Sequence, residues 1–245
     1  MNLQEDIRVK PTSDYKLPEV FIVSSGRSGT TLLSSMMNAT DQIFFPYESD
    51  FVARAYPFYG KGRKIENDDY PTLVKLFQMS SQPTAWNMTQ SLLIDSLEKY
   101  SPTTLPEVFS VICRAFHDQK CTSNILWGIK APVLIASLNR IVNVCPDAKI
   151  VHLVRDGRDV YLSYRKIHES SSIKFGPKGV IQSALYWVDG LKRVEEFIDQ
   201  GNKHRLYELR YLDLMLNPGI ELKSLCSYLN IGYSPLIHED FSNHE

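Results

Sequence analysis

Arg27 stands in the run Ser24-Ser25-Gly26-Arg27-Ser28-Gly29-Thr30-Thr31, a dense cluster of hydrogen-bond donors around a permanent cation. It follows the apolar run Val20-Phe21-Ile22-Val23 and precedes the helix-forming TLLSSMMN. A glycine turn between a strand and a helix leaves backbone N–H groups open and aimed at one point, and the helix N-terminus adds partial positive charge. The Thr30 and Thr31 hydroxyls and the planar Arg27 fork all favour a multi-oxygen anion, phosphate or sulfate. A generic helix cap would not need the arginine. A nucleoside-triphosphatase loop, GxxxxGK[ST], would carry a lysine after its last glycine, and Thr30 stands there instead.

A second cationic element follows another apolar run. Ile150-Val151-His152-Leu153-Val154 leads into Arg155-Asp156-Gly157-Arg158-Asp159, with Ser163 eight residues after Arg155. An arginine at the carboxyl end of a strand faces the usual ligand crevice of an open α/β sheet. The eight residues span roughly 12 Å of helix, so Arg155 and Ser163 can converge on one phosphate if the arginine reaches back. Asp156, Arg158 and Asp159 read equally well as surface ion pairs, each worth little.

These groups need a scaffold. Strands are expected at 20–23, 125–129, 149–154 and 205–209. Helices are expected at 31–38, 72–79, 89–99, 105–118, 132–144, 157–167 and 180–199, with helical material on to 229. Thr89 and Asp156 are candidate caps, and Gly201 ends the long helix. In that helix Leu185, Val188, Leu191, Val194 and Ile198 give the expected core face. Residues 44–60 read as an aromatic-rich loop with short helical pieces, 61–70 as a polar loop and 170–178 as a Ser/Gly-rich loop. Alternating strands and helices predict a single α/β domain with a central parallel β-sheet flanked by helices, after a polar lead-in at 1–17.

Three segments now carry a resemblance to the sulfotransferases that use 3′-phosphoadenosine 5′-phosphosulfate (PAPS). SSGRSGTTLL is similar to the loop that holds the 5′-phosphosulfate. LVRDGRDVYLSYRK is similar to the Arg…Ser element that holds the 3′-phosphate, and LRYLDLMLNPGIELKSLCSYLNIG to a third, C-terminal motif. The order and spacing match over roughly 20–232 of the chain. The resemblance implies a P-loop nucleotide-kinase-like fold over 18–245, PAPS as donor, 3′-phosphoadenosine 5′-phosphate (PAP) as product, and no metal. It assigns Arg27, Ser28, Gly29, Thr30 and Thr31 to the phosphosulfate, Arg155 and Ser163 to the 3′-phosphate, and Tyr211 to the donor site.

The likeness is stronger to the carbohydrate and protein-tyrosine branch than to the cytosolic small-molecule branch. Arg27 stands where the latter has lysine. Lys130, in Trp127-Gly128-Ile129-Lys130-Ala131-Pro132, matches that branch's lysine, but Pro132 replaces its catalytic histidine. Glu48 lies 21 residues after Arg27, near the offset at which the carbohydrate and tyrosine branch places a catalytic glutamate. The resemblance thus makes Glu48 the general base, with Lys130 and Arg27 neutralising charge. Leu212 departs from the pattern, standing where an acid is usual, and a basic segment that closes over the 3′-phosphate in some relatives has no match. The implied acceptor is a hydroxyl of a carbohydrate or glycolipid in preference to a peptide tyrosine. An ATP-dependent small-molecule or nucleotide kinase and a non-catalytic PAP-binding protein are the rival readings.

Composition narrows the partners. With 245 residues, 43% hydrophobic, the chain can bury one sizeable core. A net charge of -1 argues against a general nucleic-acid binder. No apolar run reaches the length of a membrane span, and the first residues lack a signal peptide's apolar centre. Cys113, Cys121, Cys145 and Cys226 form no CxxC pattern; reduced thiols in a cytoplasmic protein are expected, with a Cys113–Cys121 pair left open. Monomer and homodimer are both compatible. His152, inside a strand run, reads as structural, Trp86, Trp127 and Trp187 as packing residues. The aromatics Phe44 to Tyr59 read equally as core or as an acceptor-pocket wall.

Overall fold

The computed structural model describes residues 18–40, 42–120, 126–171, 174–235 and 237. The lead-in 1–17, Cys121, Ile125 and the end from 238 lie outside the described residues.

Five parallel strands form one sheet in the order β2-β3-β1-β4-β5. They are β1 (Val20–Val23), β2 (Ile43–Phe44), β3 (Leu126–Lys130), β4 (Lys149–Val154) and β5 (Leu206–Arg210). Four correspond to the expected runs. β2, two residues long, was too short to read from periodicity and forms because it pairs with β3, Ile43 against Leu126 and Phe44 against Trp127. The chain leaves β1 toward β2 and β3 on one side, then crosses to β4 and β5 on the other. β1 is therefore the point where strand order reverses, and a crevice opens beyond its carboxyl end.

Alternation in β1 supplies both faces. Phe21 and Val23 join one core with Ile129 and Ile150, beneath α2 (Phe51–Tyr59), α5 (Leu105–Lys120) and α6 (Leu138–Val144). Val20 and Ile22 join the other with Val151, Leu153 and Leu209, covered by α1 (Thr30–Asn38) and α10 (Pro218–Leu229). The strands are buried on both sides, which explains why they read as continuous apolar runs.

The expected loop 44–60 is a correction. Beyond β2 it holds α2, a regular helix despite Pro57 in its interior. Proline removes the N–H that would bond to Ala53 O, four residues earlier. Arg140 from α6 supplies the missing donor, its Nη1 lying 2.9 Å from Ala53 O. Burial of Phe51, Val52, Ala55 and Tyr59 outweighs the local proline signal. The expected helix 132–144 starts as a 3₁₀ turn, Pro132–Ser137, before α6.

The long helix α8 (Gly179–Asp199) keeps Val194 buried and Leu191 and Ile198 half-buried, as its apolar spacing predicts, but turns Leu185 and Val188 of that face outward. Ser183, Gly190, Val194 and Phe197 are buried, while Leu185 is 65% and Val188 38% exposed. The cause is the glycine turn beyond β1. A Cβ on Gly190 would lie 2.3 Å from Ser25 Oγ, so only the helix's small-residue side fits against that turn.

Candidate active site

The proposed site residues fall into five groups, each following or ending a different strand at its carboxyl end. Arg27 follows β1, Glu48 follows β2, Lys130 closes β3, Arg155 follows β4 and Tyr211 follows β5. β1 and β3 are in register with Ile22 opposite Lys130, and β4 and β5 with Val154 opposite Arg210. The parallel sheet thus brings five segments, scattered over most of the chain, to one edge.

The turn beyond β1 is folded by its own residues. Gly26 N–H donates to Ser24 Oγ at 3.0 Å, and Ser28 Oγ donates back to Gly26 O at 3.1 Å. Gly26, Arg27 and Gly29 have φ of 74°, 53° and 92°. That left-handed run turns the backbone so that Gly29 caps α1, whose first turn holds no acidic residue. The helix's first N–H groups and its positive end therefore face the crevice without a competing carboxylate. Gly29 has a second reason to be glycine, since an added Cβ would lie 2.5 Å from Tyr211 Cε2.

Arg27 and Ser163, expected at opposite ends of the donor, are in contact: Arg27 Nε donates to Ser163 Oγ at 3.0 Å. Arg155 reaches the same turn, Nη1 donating to Arg27 O at 3.3 Å. Ser163 lies on α7 (Gly157–Ser170), capped as expected by Asp156, whose side chain accepts from Arg158 N–H at 2.8 Å. Asp156 also takes the Arg158 guanidinium, and these bonds hold its carboxyl down at about 2. Arg158 is thus committed to an exposed ion pair, the bland alternative considered for it. The Arg155 guanidinium lies 4.6 Å from the Tyr211 ring centroid. Tyr211 is a platform between Gly29 and Arg155, and Leu212, beside it, is 65% exposed.

Lys130 joins the donor turn to the glutamate. Its Nζ donates to Thr31 Oγ1 at 3.2 Å and to Glu48 Oε1 at 2.5 Å. Lys130 is 6% exposed, whereas the Glu48 side chain keeps 23% exposure. The Glu48 backbone is fixed by Trp86, whose Nε1 donates to Glu48 O at 3.2 Å. Next to it, Asp50 accepts from Ser81 N–H at 2.7 Å and Ser81 Oγ at 3.2 Å. Nearby aromatics divide: Phe45, Phe51 and Tyr59 are core, while Tyr47 is 47% exposed beside Glu48.

Four contributors were missed or undervalued in the sequence. Trp86 holds the Glu48 carbonyl from a distant segment, and Asp50, two residues on, ties the same loop to Ser81. Trp187 does more than pack, its Nε1 donating to Arg155 O at 2.9 Å. Tyr164 lies against the turn so closely that a Cβ on Gly26 would sit 2.4 Å from its hydroxyl oxygen. Burial holds the Tyr164 phenol well above its ordinary range. The Ser163-Tyr164 pairing in the second motif was the available signal for Tyr164; nothing local marked Trp86.

Cys113, Cys145 and Cys226 are buried free thiols, each raised by burial. Among the described residues, no cluster of three or more His, Cys, Asp and Glu side chains could hold a metal ion, and no helix is long and apolar enough to cross a membrane.

The family model described as "Sulfotransferase family" matches residues 18–235. The omega-hydroxy-beta-dihydromenaquinone-9 sulfotransferase of Mycobacterium bovis is 24% identical over an alignment of 269 positions, covering 93% of this chain and 67% of that protein. Among solved structures, the sulfotransferase domain from the Synechococcus PCC 7002 olefin synthase superposes with a TM-score of 0.65 at 18% identity, covering 96% of this chain and 86% of that one. The sulfotransferase domain from the curacin biosynthetic pathway gives 0.63 at 22% identity, covering 92% and 78%. The fold is shared with both.

Proposed function

From the premise that this chain belongs to the sulfotransferase family, we propose that it transfers a sulfuryl group from PAPS to an alcohol of a carbohydrate or glycolipid, with Glu48 as general base. The observation that carries this reading is the Lys130 bridge, which holds the anion-binding turn and the one candidate base a single side chain apart.

In this reading the amides of Gly29 to Thr31 and the Arg27 guanidinium hold the 5′-phosphosulfate. Arg155 and Ser163 hold the 3′-phosphate and so select PAPS over ATP. The acceptor oxygen attacks sulfur in line with the bridging oxygen, the new S–O bond forms as the old one breaks, and PAP leaves. Lys130, already on Thr31, neutralises charge growing on the leaving phosphate. Glu48 takes the acceptor's proton, and its partial exposure gives that proton a route to solvent. As in phosphoryl transfer, the protein's work is positioning and charge stabilisation.

An alcohol as acceptor draws support from the mycobacterial relative, which is named for an ω-hydroxylated dihydromenaquinone; the sugar comes from the likeness to the carbohydrate branch alone. Tyr47, exposed beside Glu48, gives a sugar or chain a face to rest on. The test is transfer from sulfur-labelled PAPS to a panel of glycolipid, hydroxylated-lipid and tyrosine-peptide acceptors, with thermal shifts by PAP and by ATP with magnesium. PAP stabilisation plus label on an alcohol is expected. A shift with ATP and magnesium but not PAP would favour the kinase reading, and PAP binding without label on any acceptor the non-catalytic one.

A further inference from the structure

α8 turns its small-residue side to the donor turn, and this leaves several of its apolar residues outward. Ile181 is 77%, Leu185 65% and Val188 38% exposed, and they recur at four- and three-residue spacing, one stripe along one helix face. Val180, in the first turn of α8, is 61% exposed, and Phe175, before the helix, is 51% exposed. A contiguous exposed apolar stripe of this kind marks an interaction surface.

Cations border it. Directly before α8 lies an open cleft of about 300 Å³, lined by Arg165, Lys174 and Lys178 together with Tyr161, His168 and Glu169. Three permanent cations there face one carboxylate, Glu169, which lies 3.6 Å from Arg165 Nε. The chain as a whole carries a net charge of -1, so this excess is local. The segment between the cleft and the stripe is held in place: His168 Nε2 lies 3.1 Å from Pro177 O, the Phe175 ring packs edge-on to Tyr164 at 6.3 Å, and Gly176 rests on the same tyrosine.

We propose that the outward face of α7 and α8 docks on an anionic lipid bilayer, with Ile181, Leu185 and Phe175 entering the headgroup boundary and Arg165, Lys174 and Lys178 meeting lipid phosphates. An apolar stripe beside a basic rim is the pattern that binds such interfaces, apolar burial adding to attraction between cations and anionic lipid. A second copy of the chain fits less well, because an isologous contact through this face would bring two cationic rims into one interface. The docked face lies one side chain from the chemistry: Tyr164 touches Phe175 and Gly176 on one side and Gly26 of the donor turn on the other. An enzyme so placed meets acceptors at the bilayer surface. The proposal does not depend on which acceptor is used.

The experiment is cosedimentation of the purified chain with vesicles of phosphatidylcholine alone and of phosphatidylcholine mixed with phosphatidylglycerol. Binding to the mixed vesicles, reversed by salt, is expected. Lys174→Gln with Lys178→Gln should weaken it about 25-fold, at roughly fivefold for each charge. Ile181→Ser with Leu185→Ser should weaken it by at least about tenfold. All four positions are at the surface, so melting temperatures should stay within a degree or two of the parent, and a variant that fails this check is replaced by Ile181→Ser alone. Absence of binding to the mixed vesicles, or binding indifferent to both double variants, overturns the proposal. So does a parent dimer that Ile181→Ser with Leu185→Ser converts to monomer without any vesicle binding, which would assign the face to a second copy.

Discussion

The turn that carries Arg27 and the loop that carries Glu48 end on the same sheet edge, but the turn's backbone is also closed by bonds of its own. The turn has bonds of its own, Ser24 to Gly26 and Gly26 to Ser28, over two residues, and Arg155, Ser163 and Trp187 add bonds to it from far along the chain. The loop is held from far along the chain: Trp86 bonds to Glu48 over 38 residues, Ser81 to Asp50 over 31, and Lys130 to Glu48 over 82. A self-bonded turn is a rigid seat for a fixed ligand such as a phosphosulfate. A loop tied to a separate helical layer can change with that layer, which suits the part of the site that must match an acceptor. If this contrast holds, donor binding and chemistry should separate under mutation.

Glu48→Gln gives the largest expected effect. Removing the proton acceptor while keeping the shape should lower kcat by about 10²–10⁴-fold. The glutamine amide oxygen can still accept from Lys130, so Lys130 keeps its place on Thr31 and the Kd for PAP should move by less than about threefold. Transfer kinetics and calorimetry on the same protein check both. Surviving turnover removes Glu48 as base, and a parallel loss of PAP affinity would mean the two sides form one unit.

His152 tests the floor that both sides share. It is 1% exposed in β4, and burial lowers its pKa to about 4. Glu208 Oε2 lies 3.6 Å from Nδ1, but that carboxylate is 49% exposed and too well solvated to offset the loss of water around the ring. Above pH 6.5 the imidazole is neutral folded and unfolded, and stability is complete. Between 6.5 and 4 the unfolded chain binds a proton that the folded one refuses, so stability falls with pH, by about 3 kcal/mol across the window. Denaturant unfolding followed against pH should show this slope, and His152→Gln should flatten it. PAP binding and transfer should fail together along that slope, in contrast to Glu48→Gln.

Arg155→Ala comes next. Loss of a charge-assisted contact is worth about 1.5–3 kcal/mol, or roughly 10- to 150-fold in PAP affinity. Adenosine monophosphate, which lacks the 3′-phosphate, should lose far less. Equal losses would mean that Arg155 acts by holding Arg27 O and not by meeting the 3′-phosphate.

The same contrast explains what could be read in the chain. The glycine turn, the Asp156 cap and the buried strands are encoded by neighbours: positive φ calls for glycine, a short polar residue caps a helix, and strands buried on both faces are apolar throughout. The parallel α/β sheet and the glycine turn beyond β1 followed from these. What escaped was set at long range. β2 exists only through β3, α2 survives Pro57 because Arg140 serves Ala53, and α8 turned Leu185 and Val188 of its expected core face outward because Gly190 had to meet Ser25. Glu48 was singled out by its offset from Arg27, and Trp86, which bonds to its carbonyl, had no local signature.

Arg27→Gly carries the smallest effect and presses the contrast hardest. Arg27 has φ of 53°, a left-handed conformation that costs an L-residue about 1–2 kcal/mol. Glycine removes that cost and returns about 0.4–1 kcal/mol through the greater freedom of the unfolded chain. The bond to Ser163 is exposed and adds little. The net change should be up to about 1 kcal/mol of added stability, a melting temperature higher by about 2 °C in a chain of this size, while transfer is lost with the guanidinium. A protein that gains stability as it loses function would show that the turn is folded by its own residues and strained for its ligand. A lower melting temperature would mean that the reach of Arg27 to Ser163 holds the turn in place. The turn would then be tied from afar like the Glu48 loop, and the distinction between the two sides would fail at its strongest point.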